Sequence, residues 1–183
     1  MAEILIPSGP LALDQRWADA MRSIETPALT RVADAFDVVG RPLGRTVTIA
    51  AVSVALAVTR RWRSLLAFGV AEAVALSASA GLKVLVGRPR PPHELAHAAG
   101  SSFPSGHTTF AAVTCVSLAL LAAHRRSWWA LALLAIVGMG WSRTYLQVHW
   151  FSDVTAGALL GAGVALVSFG VSRGGATRRR GPA

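Results

Sequence analysis

At 183 residues the chain has the length of one compact domain, and a hydrophobic content of 53% against 15% charged residues is too apolar for an ordinary soluble one. The net charge of +9 does not mark a nucleic-acid surface, because the basic residues are not gathered on one soluble face. Six of the nine acids (Glu3, Asp14, Asp19, Glu25, Asp34 and Asp37) precede residue 40, while the excess arginine stands in short runs between apolar stretches or in the tail, as loops facing anionic lipid would have it.

The first residues, MAEILIPSGP, have neither a basic n-region nor a long apolar core, so no cleaved signal peptide is expected. Between residues 11 and 40, Leu13, Trp17, Met21, Ile24, Ala28, Val32 and Phe36 recur at three- and four-residue intervals with charges between them. This predicts an amphipathic helical pair lying at the outer membrane interface, broken at Thr26-Pro27, where threonine caps and proline starts a second helix. Packing of this pair against the rest of the protein is the plainer alternative.

Five apolar stretches follow: Thr46–Thr59, Ser64–Leu82, Thr108–Ala123, Ser127–Ser142 and Val154–Ser172. Several fall short of the roughly 20 residues that span a bilayer, and flanking polar residues must snorkel or face protein to extend them. Arg60, Arg61 and Arg63 occupy the first connection, Arg125 and Arg126 the third, and Arg173, Arg178, Arg179 and Arg180 the tail. With five spans these regions share one side, and the positive-inside rule makes it cytoplasmic. The connections 83–107 and 143–153 then share the outer side.

The expected fold is an all-α integral membrane protein of the cytoplasmic membrane, a bundle of five transmembrane helices preceded by amphipathic interfacial helices. Residues 1–173 would form one domain, with the transmembrane core at 46–172, and 174–183 a disordered basic tail reaching the cytoplasm. Cys115 stands alone in an apolar run, which provides neither a disulfide nor a metal-ligand pair.

The outer connections hold the unusual residues. Lys83, Arg90 and Arg143 can surround a dianionic phosphate, the arginines by their planar forks and the lysine as a point charge. Ser105 and Gly106 precede a predicted helix whose free N–H groups would face an anion. His149 and Asp153 are four apart, so on a helix they share a face, and the carboxylate would fix the imidazole as it attacks phosphorus. His107 is free to protonate the leaving oxygen. No carboxylate cluster is present to hold magnesium, so the expected chemistry has no metal and no cofactor, and the fixed cations carry the electrostatic work. Each residue has a plainer reading as well: Lys83 as a snorkelling anchor, Arg88-Pro89-Arg90 as a basic turn, each histidine as an interfacial anchor.

Together these segments resemble the type-2 phosphatidic acid phosphatase family. Lys83 to Arg90-Pro91 matches its lysine–six residues–Arg-Pro element, Pro104-Ser105-Gly106-His107 its second element, and Ser142-Arg143, five residues, His149, three residues, Asp153 its third. The resemblance implies that His149 forms a phosphohistidine, oriented by Asp153, and that His107 protonates the leaving group and activates water. It implies that Lys83, Arg90, Ser105, Gly106 and Arg143 bind the phosphate, without a metal. Larger relatives have six spans, the first of which is here replaced by the amphipathic segment.

The expected activity is hydrolysis of a lipid phosphate or diphosphate held in the bilayer, preferably a polyprenyl (undecaprenyl or decaprenyl) carrier of cell-wall synthesis. Phosphatidic acid or phosphatidylglycerol phosphate is the second reading. A lipid phosphotransferase and a non-catalytic lipid transporter belong to other classes; no acceptor-pocket signature supports the first, and His107, His149 and Asp153 weigh against the second. A soluble vanadate-dependent peroxidase shares related motifs, and the five apolar stretches weigh against it.

Glu72, in the middle of the second span, is expected to pair with an N-terminal arginine or to line a polar gap. His93 and His97 read as loop histidines. The run from Ala156 to Gly163 predicts close helix packing. Trp128, Trp129, Trp141 and Trp150 fall near span ends, as an aromatic belt would.

Overall fold

A computed structural model describes the backbone of residues 9–122 and 125–177 and the side chains of these segments as far as residue 172. The described residues form seven helices: α1 (Ala12–Ser23), α2 (Pro27–Gly40), α3 (Pro42–Val58), α4 (Trp62–Val86), α5 (Gly106–Leu121), α6 (Arg126–Tyr145) and α7 (Phe151–Thr177), and they include no strand. The described residues of the five apolar stretches fall on α3 to α7 in order, apart from end residues such as Thr59 and Ala122. α7 runs to Thr177, four residues into the segment expected to be a disordered tail, and residues 178–183 lie outside the described residues.

Length and apolar character qualify two of these helices, α4 and α7, to cross a membrane; α2 and α3, bent by 60° about Arg41, make a third if taken as one broken span. This is fewer than the five expected. α5 has 16 residues, about 24 Å of rise against a hydrocarbon core of about 30 Å. It is also the most enclosed helix, packed by α4, α6 and α7 and buried without a break from Thr108 to Thr114. A helix sheathed by protein need not match the bilayer.

Small residues let α7 approach α5 closely. A Cβ on Gly157 would lie 2.6 Å from the Ser105 carbonyl, and one on Gly161 2.3 Å from the Thr109 carbonyl. Glycine is therefore required at both positions by backbone contact. On the outside, Leu43, Val58, Leu66, Val84, Leu134, Leu159 and Val171 are exposed, which gives the bundle an apolar surface. Trp128 and Trp129 belong to that surface, but Trp150 does not: it is buried and donates Nε1–H to the Pro89 carbonyl at 2.9 Å. Glu72, buried in α4, accepts from the Thr114 hydroxyl at 2.6 Å, so its hydrogen-bond partner is a threonine of α5 rather than an arginine.

The N-terminal helices begin and end as expected. Pro27 opens α2, and Thr26 caps it by accepting from Leu29 N–H at 3.3 Å. Their buried face differs from the one the apolar spacing predicts. Leu13, Ile24 and Val32 are exposed, while Asp14, Ala18, Met21, Ala33, Asp37 and Gly40 are buried. The pair packs on α5, α6 and α7 with Asp14 and Asp37 turned inward.

The reason is a buried cation. Gly87, with φ of 61°, ends α4 in the left-handed conformation and turns the chain back, so that Arg88 enters the bundle at 3% exposure. Its guanidinium donates to Asp14 (2.7 Å), Asp153 (2.6 Å), the Ser152 hydroxyl (2.7 Å) and the Gly9 carbonyl (3.1 Å). Asp14 also accepts from Ser152 N–H at 2.8 Å, which fastens α1 to the start of α7. Burial alone would raise the Asp14 pKa, but the Ser152 and Leu11 amides and Arg88 outweigh it and hold the carboxyl below its usual range.

Removing one partner of such a cluster strands the others in a dry interior. Arg88→Ala is expected to cost roughly 3–5 kcal/mol, read as a lowered thermal midpoint of the detergent-purified protein. Gly161→Val, which drives a side chain into the α5 backbone, is expected to destabilise by about 1–3 kcal/mol. Gly163→Val, where no atom lies within 4 Å, should leave the midpoint nearly unchanged.

Candidate active site

One end of the bundle holds a cavity of about 320 Å³ that gathers residues far apart in sequence. Lys83 comes from the last turns of α4, Arg90 from the following loop, Gly106 and His107 from the start of α5, Arg143 from the end of α6, and His149 from the α6–α7 connection. These are six of the eight residues singled out from the sequence. Asp153 lies directly behind His149, fully buried.

Ser105, like Asp153, lies outside the cavity lining. It is buried at the N-cap of α5, where its Oγ accepts from the Thr108 amide (3.5 Å) and the Thr108 hydroxyl (3.1 Å). Its own N–H donates to the Asp153 carbonyl at 3.0 Å, which joins the start of α5 to α7.

His149 and Asp153 meet, but not on one helical face. His149 precedes α7, and Asp153 occupies the first turn, where Oδ2 accepts from the Trp150 amide at 2.9 Å in the manner of half a capping box. This bend brings Asp153 Oδ2 to 3.6 Å from His149 Nδ1, close enough to act electrostatically but beyond a formed hydrogen bond. Nε2 points the other way, 3.5 Å from Arg90 Nη1. Burial pushes the His149 pKa down to about 3; Asp153 opposes that shift while Arg90 and Lys83 add to it. The ring is therefore neutral, with a lone pair for attack.

Arg90 and Lys83 are held by the loop between α4 and α5. Arg90 donates to the carbonyls of Val148 (2.6 Å), Ala99 (2.9 Å) and Gly100 (3.1 Å), and Lys83 Nζ donates to the Ser101 carbonyl at 2.9 Å. Burial draws the Arg90 pKa down from its ordinary value, partly offset by Glu94 and Asp153. Arg143, 2% exposed, donates Nη1–H to Asp37, and its Nε has no hydrogen-bond partner, leaving a donor for an anion.

Several lining residues escape a motif-based reading. Asp37 of α2 lies 3.1 Å from His107 Nε2 as well as touching Arg143, and it accepts from Arg41 Nε at 2.7 Å. Arg41 and Arg45 add two cations to the rim. The sequence signals Asp37 only through the crowding of acids before residue 40, and no motif contains Arg41 or Arg45. His97 lines the cavity, whereas His93 does not. No three histidine, cysteine or carboxylate groups converge as a metal site among the described residues. The carboxylates at hand, Asp37 and Asp153, are already engaged by arginines.

The PAP2 superfamily model matches residues 62–174. A decaprenylphosphoryl-5-phosphoribose phosphatase of Mycobacterium tuberculosis is 34% identical over 131 residues, 69% of this chain and 71% of that protein. An undecaprenyl-diphosphatase of Sulfolobus acidocaldarius is 34% identical over 79 residues, 43% of this chain and 37% of that protein. The chain spans about a third of the length of two of the curated relatives it matches, 33% and 37%. Among solved structures, a transmembrane PAP2-type phosphatidylglycerolphosphate phosphatase from Bacillus subtilis superposes with a TM-score of 0.79 at 26% identity, covering 88% of this chain and 85% of that one. With its helices long enough to cross a bilayer and this membrane neighbour, the chain is an integral membrane protein, and it belongs to the PAP2 superfamily.

Proposed function

We propose that the protein is a metal-independent lipid phosphatase working through a phosphohistidine. The observation that carries this is the single cavity in which a neutral, buried His149 faces Lys83, Arg90, Arg143 and His107. His149 Nε2 attacks phosphorus while His107 protonates the departing oxygen. Water, activated by His107, then cleaves the phosphorus–nitrogen bond and releases inorganic phosphate. Lys83, Arg90, Arg143 and the amides at the start of α5 stabilise the equatorial oxygens. Ser105 serves this set as the cap that fixes the α5 terminus.

In this reading α3 to α7 are five spans, the cavity is extracytoplasmic and the C-terminus is cytoplasmic. Support comes from the end of the bundle opposite Lys83, where Arg61 and Arg63 reach the carbonyls of Leu121 and Ser172 and concentrate the basic residues. Residues 1–173 act as one domain.

The substrate we favour is a polyprenyl diphosphate. Five cations line the cavity (Arg41, Arg45, Lys83, Arg90 and Arg143) against one lining carboxylate, Asp37, which exceeds the need of a single phosphate dianion. Arg41 and Arg45 stand at the head of α3, whose exposed Leu43, Val47 and Val54 offer a path for a lipid tail. The relatives named for undecaprenyl diphosphate and decaprenylphosphoryl-5-phosphoribose agree with a polyprenyl tail.

Phosphate release is the direct test, using purified protein with chelator on undecaprenyl diphosphate, undecaprenyl phosphate, phosphatidic acid and phosphatidylglycerol phosphate. Release fastest from the diphosphate and abolished by His149→Ala is expected; undiminished release by His149→Ala would refute the mechanism. Arg45→Ala should lower kcat/KM for the diphosphate about 10-fold more than for the monophosphate, the size of one lost charge-assisted hydrogen bond. An equal loss on both would remove the case for the diphosphate.

A further inference from the structure

Asp37 lies outside every motif of the family resemblance, yet it is 3% exposed and shared among Arg41, Arg143 and His107. We propose that Asp37 is a positioning residue for His107, holding the imidazole in the orientation and charge state needed to deliver a proton. This rests on the reading of His107 as the proton donor.

Two features of α2 act on the ring. Asp37 Oδ1 lies 3.1 Å from His107 Nε2, near enough to act electrostatically on the ring although that nitrogen has no formed hydrogen bond. One turn on, Gly40 is the seat of the ring: a Cβ there would fall 2.0 Å from His107 Cδ2. Asp37 therefore addresses one nitrogen while Gly40 lets the imidazole lie flat against the backbone. With Nε2 facing the carboxylate, Nδ1 is left for the substrate.

The charges around His107 make such a partner necessary. Arg143 of α6 and Lys83 of α4 face it, with Arg41 and Arg45 at the α2–α3 bend and Arg90, His97 and His149 across the cavity. Cations and burial both disfavour an imidazolium, and Asp37 is the one carboxylate of the cavity lining that opposes them. In the first step the bond from phosphorus to His149 Nε2 forms as the bond to the leaving oxygen breaks. The electron pair on that oxygen takes the proton from His107 Nδ1. In the second step the neutral ring takes a proton from water as the water oxygen bonds to phosphorus and the phosphorus–nitrogen bond breaks, its electron pair returning to His149 Nε2.

Serving only as counter-ion to Arg143 is the competing role, and leaving-group dependence separates the two. A polyprenyl monophosphate expels an alkoxide that needs a proton, whereas 4-nitrophenyl phosphate expels a stable anion. With Asp37→Asn, any loss from freeing Arg143 is common to both substrates and cancels in the ratio. We expect kcat on the alkyl phosphate to fall about 100-fold further than on the aryl phosphate, the scale of general-acid catalysis. The alkaline limb of the alkyl kcat profile should move to lower pH, and Asp37→Glu should restore part of the rate. Equal losses on the two substrates, or no loss, would overturn the proposal.

Should Asp37→Asn fail to fold, Gly40→Ala decides, because it displaces the ring without touching a charge. The same selective loss supports the proposal and an unselective one sinks it. Wild-type protein that releases phosphate from neither these substrates nor undecaprenyl diphosphate, or does so equally after His149→Ala, would defeat the phosphatase reading itself. An active wild type with unselective variants defeats only the role of Asp37.

Discussion

Arg88 is a guanidinium placed where little water can reach it, and the upper half of the bundle is arranged around satisfying it. Asp14 from α1, Asp153 and Ser152 from α7 and the Gly9 carbonyl each take one of its donors. A buried charge of this kind is tolerated only when it is paired, so the segments that supply the partners must dock together. α1 is thereby fastened to the head of α7. Asp153 is held from one side by Arg88 and from the other by the Trp150 amide, which leaves its Oδ2 turned toward His149.

Asp37 does for the second histidine what Asp153 does for the first. α2 presents it to Arg143, His107 and Arg41, so the N-terminal pair brings one carboxylate to each of two arginines at the catalytic end. The two acids contribute differently. Asp14 stands outside the cavity and stiffens its wall, whereas Asp37 stands inside and offsets cations that an anionic ligand would otherwise have to offset alone. The N-terminal helices thereby become part of the electrostatic framework of the cavity.

Close packing complements this framework. Gly157 and Gly161 let α7 touch the backbone of α5, and the Ser105 amide is tied to the Asp153 carbonyl at the same junction. The start of α5, where the phosphate is proposed to bind, is thus set directly against Asp153, the residue behind His149. Such contacts are stiff, since a shift of either helix would meet backbone rather than a deformable side chain. A site that relies on preorganised cations gains from that stiffness.

Much of this protein was legible in residue order alone. Five apolar runs predicted five helices, the proline after Thr26 predicted the start of another, and three motifs singled out Lys83, Arg90, His107, Arg143 and His149, which the fold brings to one cavity. These features are local: apolar runs, caps and short spacings depend on neighbours along the chain. The span count is less local, because α5 is short for a bilayer and is enclosed by other helices rather than by lipid. The burial of Asp14, Arg88 and Asp37, the rotation of the N-terminal helices away from their apolar spacing, and the retreat of Ser105 and Trp150 from their expected places were decided only in three dimensions. The physical reason is that a charge or hydroxyl is stable in an interior only beside its partner. Those partners stand 65, 74 and 106 residues away for the pairs Arg88–Asp153, Arg88–Asp14 and Arg143–Asp37, separations over which sequence carries no pairing signal.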